Sequence, residues 1–156
     1  MKNTKKGFTL IELLVVISII GILAALATVS FSSTQKQARD TQRKSDLKQY
    51  QGALESYANM HNGMYPAYPS LGVNIDNFCD WLGITGTCPN DPKYATDPTN
   101  YSQYGYQTDG TTSDASPTAT QFILWAKLEN TSDYWVICSS GAVFSNASKP
   151  SISNCQ

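Results

Sequence analysis

Phe8-Thr9-Leu10-Ile11-Glu12-Leu13-Leu14-Val15-Val16-Ile17-Ser18-Ile19-Ile20-Gly21-Ile22-Leu23-Ala24-Ala25-Leu26-Ala27-Thr28-Val29 is the stretch that decides the fold of this chain. From Leu13 to Val29 it carries no charge. A helix needs ~20 apolar residues to cross the hydrocarbon core of a bilayer, and this run with its flanks is long enough. It is apolar all round, unlike the one-sided helix of a soluble core. Glu12 breaks the pattern. A charge inside such a segment costs ~2.5–3.5 kcal/mol on insertion scales, so by default it has a function and a partner.

The residues in front sharpen this reading. Residues 1–7 are short, polar and basic, with Lys2, Lys5 and Lys6. Gly7-Phe8-Thr9-Leu10-Ile11-Glu12-Leu13 then leads straight into the apolar run. This resembles the leader of type IV prepilins and type II secretion pseudopilins, residue by residue from Lys5 to about Ala27. The resemblance implies that a prepilin peptidase cuts after Gly7. It also implies that the new terminus, Phe8, is N-methylated and that Glu12 acts in assembly. The chemistry agrees: an amine at Phe8 and a carboxylate at Glu12, both in apolar surroundings, neutralise each other within a chain or between neighbours.

Two plainer readings compete. The first is a secretory signal cut after Ala25-Leu26-Ala27, which would release a soluble domain. It would place Glu12 inside an apolar region longer than the usual ~7–15 residues. The second is a plain membrane anchor with an incidental carboxylate.

The remainder of the 156 residues suits one folded domain. Net charge is −1 but unevenly spread. The stretch Lys36 to Lys48 holds five basic residues, whereas from Asn59 onward three Lys face eight acids, a formal −5. That distal part is rich in Tyr, Thr, Ser, Asn and Gly, as expected for an extracellular domain of strands and loops. It contains all four cysteines, Cys79, Cys88, Cys138 and Cys155. An even number of Cys in such a domain reads as disulfides, and four allow three pairings. Cys79–Cys88 and Cys138–Cys155 are favoured because each closes a short local loop. The latter also resembles the C-terminal disulfide loop of many pilins. The spacings are wider than the Cys-x₂₋₄-Cys pairs of structural zinc sites. Counting positive charges gives three before the span and five after it, which leaves orientation open. The leader and the disulfide-bearing domain both place the C-terminal part outside.

Past the span the helical pattern continues. Leu47, Tyr50, Leu54, Tyr57, Ala58 and His61 share one helical face, and Asn59, Asn62 and Gly63 signal its end. A helix from Phe8 to Asn59 would be ~78 Å long. Residues 65–99 read as a long connection, with one short helix at Ile75–Gly83. Strands follow at Tyr101–Thr108, Gln121–Leu128, Tyr134–Cys138 and Ala142–Phe144, with a polar loop at Thr111–Thr120. Phe122, Leu124, Ala126, Leu128, Val136 and Cys138 are expected to cover the helix. The fold class is thus α+β, resembling the pilin fold: a long N-terminal helix, transmembrane in its first half, packed on a small antiparallel sheet. The expected division is 1–7 leader, 8–31 transmembrane and assembly helix, 32–62 helical stem, and 63–156 globular domain.

No catalytic constellation is visible: there is one His, no phosphate-binding Gly loop and no HExxH. No cofactor or metal is expected. Asp91, Asp97, Asp109 and Asp114 match no calcium motif and read as solvated turn residues. Lys36, Arg39 and Arg43 lie at i, i+3 and i+7 and form a basic stripe. Three readings of it compete: a solvated stem, a nucleic-acid contact, or a contact with the acidic domain of a neighbouring subunit. The last is preferred, because no aromatic residue interleaves the basic cluster before Tyr50 and the domain beyond is acidic. The sequence is therefore read as a prepilin, a structural and non-enzymatic subunit of a type IV pilus-like filament. A type II secretion pseudopilin and a membrane-anchored binding module that does not polymerise are the alternatives. Expected partners are copies of itself and related pilins, the prepilin peptidase, the membrane and the assembly machinery. The precursor would sit in the cytoplasmic membrane before joining an extracellular filament.

Overall fold

A computed structural model describes the backbone of residues 7–69, 73–75, 79, 81–101 and 103–155, and their side chains except at 27–30. Most of the expected leader, residues 1–6, lies outside the described residues. The described elements are α1 (Leu10–Met60), β1 (Tyr65–Pro66), β2 (Val73–Asn74), β3 (Gly105–Thr108), β4 (Pro117–Ala119), β5 (Phe122–Lys127), β6 (Tyr134–Cys138) and β7 (Val143–Asn146). A 3₁₀ turn, Ile152–Cys155, ends the fold. The chain forms two compact units, Met1–Lys36 and Gln37–Gln156, and α1 contributes to both.

In the first unit α1 is continuous through Gly21 and exposes its apolar side chains from Leu10 to Leu26. By length and composition it is able to cross a membrane. In the second unit α1 changes character. Leu47, Tyr50, Leu54, Tyr57 and Ala58 are buried, one face of the helix, as the periodicity predicts. Burying each large side chain contributes about 1.5–3 kcal/mol. The helix ends where Asn62 (φ 57°) and Gly63 (φ 81°) turn left-handed. There the His61 and Gly63 N–H groups both donate to the Ala58 carbonyl (3.0 and 2.8 Å), satisfying an acceptor the helix end would otherwise leave open. His61 is half-buried, its ring stacked on Tyr57 at 3.8 Å.

The main sheet is antiparallel, in the order β2-β3-β5-β6-β7, and β1 pairs with β4 separately. One face, with Phe122, Leu124, Ala126 and Ile137, joins Leu47, Tyr50 and Leu54 in the core. The other face carries Ile123, Trp125, Val136 and Cys138. The expected β6 face therefore needs correcting. Register pairs Leu124 with Ile137 and Trp125 with Val136, and cross-strand partners share a face. Ile137 thus faces the helix, while Val136 and Cys138 face away. Sequence alternation was right and its phase was wrong by one residue, which flips every side chain. Gly105 is directly opposite Trp125, and a Cβ there would lie 2.0 Å from the indole. This strand glycine marks a close approach of ring to backbone.

Stretches expected as loops contain β1, β2 and β4. Brevity hides all three, and β1 and β4 each carry a proline, a residue confined to sheet edges. The helix expected at Ile75–Gly83 falls partly on residues 76–78 and 80, outside the described set. Its described end is a turn in which the Leu82 and Ile84 N–H groups donate to the Cys79 carbonyl (3.1 and 3.2 Å).

The outward sheet face is covered by the C-terminal segment. Cys138 is bonded to Cys155, and Ile152 and Cys155 pack against Trp125 and its neighbours. The Ile152 N–H donates to Gln107 Oε1 at 2.9 Å. Cys79 is bonded to Cys88. Cys155→Ser frees the covering segment, and closing a loop of this size is worth ~3 kcal/mol in the chain-entropy model. The variant is expected to unfold at lower denaturant and to show red-shifted emission as Trp125 meets water. An unchanged midpoint and spectrum would show that the segment stays down without its bond.

Candidate functional site

The N-terminal end of the first unit is built by a local sequence signal. Thr9 and Glu12 form Thr-x-x-Glu, a capping box. The Thr9 N–H and the Thr9 hydroxyl both donate to Glu12 Oε2, each at 2.7 Å. The Glu12 N–H is 3.3 Å from Thr9 Oγ1, and the Leu13 N–H donates to the Thr9 carbonyl at 3.3 Å. Thr9 is therefore the N-cap. The helix starts at Leu10, two residues later than expected, and Gly7 and Phe8 stay outside it, exposed. Thr9 escaped the sequence reading, although its spacing to Glu12 is the signal that finds it. Glu12 was assigned to the Phe8 amine alone. In the described chain it is first a partner of Thr9.

The basic stripe is where structure and expectation part. Lys36 is exposed and belongs to the first unit. Arg39 and Arg43 belong to the second, and their partners lie in their own domain. Arg39 donates through Nε and Nη2 to both oxygens of Glu129 (2.7 and 2.8 Å). Arg43, fully buried, donates through Nε and Nη2 to both oxygens of Asp91 (2.7 and 2.9 Å). Its Nη1 donates to Asp40 Oδ1 (2.8 Å) and Glu129 Oε1 (2.9 Å). Asp40 accepts in turn from the N–H groups of Glu129 (2.8 Å) and Asn130 (3.0 Å). Lys93 Nζ lies 3.6 Å from Glu129, and both Lys93 and Arg43 sit over the Tyr101 ring. Where a contact with a neighbouring subunit is expected, Arg43 and Arg39 are engaged within their own chain. A buried guanidinium needs its counter-charges at hand, and the acidic domain supplies them within the chain.

Asp91, expected as a solvated turn residue, is instead buried in the ion cluster, whereas Asp97, Asp109 and Asp114 are engaged locally. Asp91 belongs to Arg43. Asp97 accepts from the Asn100 side chain at 3.1 Å. Asp109 accepts from the Thr120 hydroxyl and from the N–H groups of Thr120 and Gln121. Asp114 accepts from the Ser116 hydroxyl at 2.7 Å. Among the described residues no group of three or more His, Cys, Asp or Glu is placed to hold a metal ion.

The ion cluster sets an acid limit. The Arg39 fork, with Arg43 behind it, holds the Glu129 carboxyl down at about 2 despite its burial. Burial works against the Arg43 charge, but its bonds to Asp91, Glu129 and Asp40 outweigh this and raise its pKa. A carboxyl depressed on folding stabilises the fold above its ordinary value of 4.5 and loses that contribution as pH falls toward about 2. Thermal midpoints are expected to hold above pH 5 and to fall between about pH 4.5 and 2. Glu129→Gln should lower the midpoint at pH 7 and flatten part of that fall. A parallel acid curve in the variant would move the titration to other carboxylates.

Residues 2–28 match the family model of the prokaryotic N-terminal methylation motif. The chain is similar to the type II secretion system core protein G of Pseudomonas aeruginosa, 42% identical over 66 residues, 42% of this chain and 46% of that protein. It is 33% identical to the type IV major pilin protein PilA of Myxococcus xanthus over 84 residues, 54% of this chain and 32% of that one. It is 30% identical to the type II secretion system core protein G of Aeromonas hydrophila over 105 residues, 67% of this chain and 64% of that one. The chain thus spans between 32% and 64% of the length of these relatives. No solved structure matches. The methylation motif, the long apolar N-terminal helix and the small antiparallel sheet together support the type IV pilin and type II secretion pseudopilin family.

Proposed function

We propose that the chain is a prepilin, the structural subunit of a type IV pilus-like surface filament. Residues 1–7 are its leader, removed by a prepilin peptidase between Gly7 and Phe8, and the Phe8 amine is then methylated. Residues 8–31 anchor the precursor in the cytoplasmic membrane with the C-terminal domain outside. The same helix later packs against copies of itself and related pilins, handled by the assembly machinery. Residues 32–62 form the stem and 63–156 the outer domain.

One observation carries this reading: α1 is exposed at every residue from Leu10 to Leu26, an almost wholly apolar surface. A surface of that extent marks a membrane or partner contact. Lipid serves the precursor, and sister helices serve the filament. Glu12 is the one charge on that surface. In the filament it is the counter-charge for a neighbour's Phe8 amine.

A type II secretion pseudopilin is the second reading. The relatives named core protein G favour it, since one aligns over 67% of this chain. The Cys138–Cys155 loop supports the first. An anchored module that never polymerises is the third.

Two measurements test the proposal. Intact mass and N-terminal sequencing are expected to give a chain that begins at methylated Phe8; a start at Thr28 would point to a secretory signal instead. Glu12→Gln should leave cleaved pilin in the membrane but suppress filaments in the sheared surface fraction, since an unmatched buried cation costs ~3–5 kcal/mol. Filament yield equal to wild type would remove Glu12 from assembly. Loss of protein export on deleting the chain, without surface filaments in the parent, would move the reading to the pseudopilin.

A further inference from the structure

In the second unit α1 enters with Gln37 and Ala38 exposed. Arg39 is the first half-buried side chain and Asp40 the first buried one. The ion cluster therefore stands where the helix first engages the folded domain. Any pull on the chain from its N-terminal side reaches the domain at this point.

We propose that Arg39, Asp40, Arg43, Asp91, Lys93 and Glu129 form a load-bearing clamp that holds α1 in its domain against tension along the helix. Its biological purpose rests on the filament reading, in which subunits are drawn from the membrane and strained in a polymer. The clamp itself is a property of one chain.

Three features support it. The contacts are directional: Arg39 and Arg43 each grip a carboxylate with two parallel bonds, the strongest geometry for such pairs. The Arg43 bonds are buried, so salt and water screen them little. Peeling the helix would leave uncompensated charges behind, whereas an apolar contact yields gradually.

The cluster is also braced from two sides. Glu129 belongs to the β5–β6 turn, whose Glu129 and Asn130 N–H groups are held by Asp40. Asp91 belongs to the loop after Cys88. That loop is tied to α1 again by the Tyr50 hydroxyl, which donates to the Pro89 carbonyl at 2.8 Å. Static stability alone would be served as well by apolar side chains of similar volume. Six charged groups at the entry point of the helix answer a demand that static stability does not make.

The test is single-molecule pulling of the full chain in detergent micelles, with handles placed in two ways. One pair is attached at residue 36 and at the C-terminus, which loads the entry point of α1. The other is attached at residue 63 and at the C-terminus, which bypasses it. At equal force, Arg43→Met is expected to rupture at least about tenfold faster than wild type in the first geometry, and less than about twofold faster in the second. Arg39→Gln, which removes only the half-exposed pair, should fold normally and show a smaller effect of the same kind. It serves as the measurement if Arg43→Met does not fold. Equal acceleration in both geometries would overturn the clamp, reducing the cluster to an ordinary contributor to stability. That outcome would leave the filament reading standing, since no filament enters the measurement.

Discussion

Arg43 has no access to solvent, and a guanidinium does not shed its charge at any pH a protein meets. Its burial therefore dictates where carboxylates must be. Asp40 comes from one turn earlier on α1, Asp91 from the loop after Cys88, and Glu129 from the turn between β5 and β6. Arg39 and Lys93 complete the set, giving three cations and three anions in one contact. The uneven charge of the sequence follows from this. Arg39 and Arg43 of the basic stretch meet Asp91 and Glu129 of the acidic distal part in one junction within the chain. Asp91 and Glu129 are also what fix the irregular loop and the turn on the helix, so elements distant in sequence depend on one side chain.

The sheet has a different problem, because both of its faces are apolar. α1 covers the face of Phe122, Leu124, Ala126 and Ile137. Among the described residues no second α-helix covers Ile123, Trp125 and Val136, and the C-terminal segment serves instead, fastened by Cys138–Cys155 and by Gln107. Gln107 spans the two regions, donating to the Pro69 carbonyl at 2.9 Å while accepting from Ile152. A segment with so little regular structure cannot hold an apolar face by its own hydrogen-bond ladder. A covalent tie is the usual remedy in small extracytoplasmic domains.

What could be read from the sequence was what depends on local pattern. The uncharged run is continuous helix and the face from Leu47 to Ala58 is a helical periodicity, and both appear as expected. β5 and β6 are apolar, aromatic-rich runs bounded by turn signals, found within a residue of their expected bounds. Two things were not legible. The phase of β6 depends on its register against β5, and two readings of that register differ by a single residue. The distal partners of Arg39 and Arg43 lie 48 to 90 positions away, and nothing in the spacing of charges says whether an acidic domain answers its own helix or a neighbour's. The short strands β1, β2 and β4 lack any pattern long enough to show. Thr9 is legible through its Thr-x-x-Glu spacing to Glu12.

The cap at Thr9 also decides what the N-terminal end presents. A carboxylate in the first turn is favoured by the helix dipole, and in the capping box it fixes where the helix begins. With Thr9 as the N-cap, α1 cannot extend back over Phe8, and Gly7, Phe8 and Thr9 remain irregular and exposed. Susceptibility of a peptide bond follows from the burial and hydrogen bonding of its backbone. Of the bonds in this region, Gly7–Phe8 lies outside the helix, with a glycine on one side and open space around it. The residue that would partner the new amine is thus also the residue that keeps the bond before it out of the helix. Under the proposed processing, Thr9 and Glu12 would both cap the helix and leave the Gly7–Phe8 bond open to the peptidase.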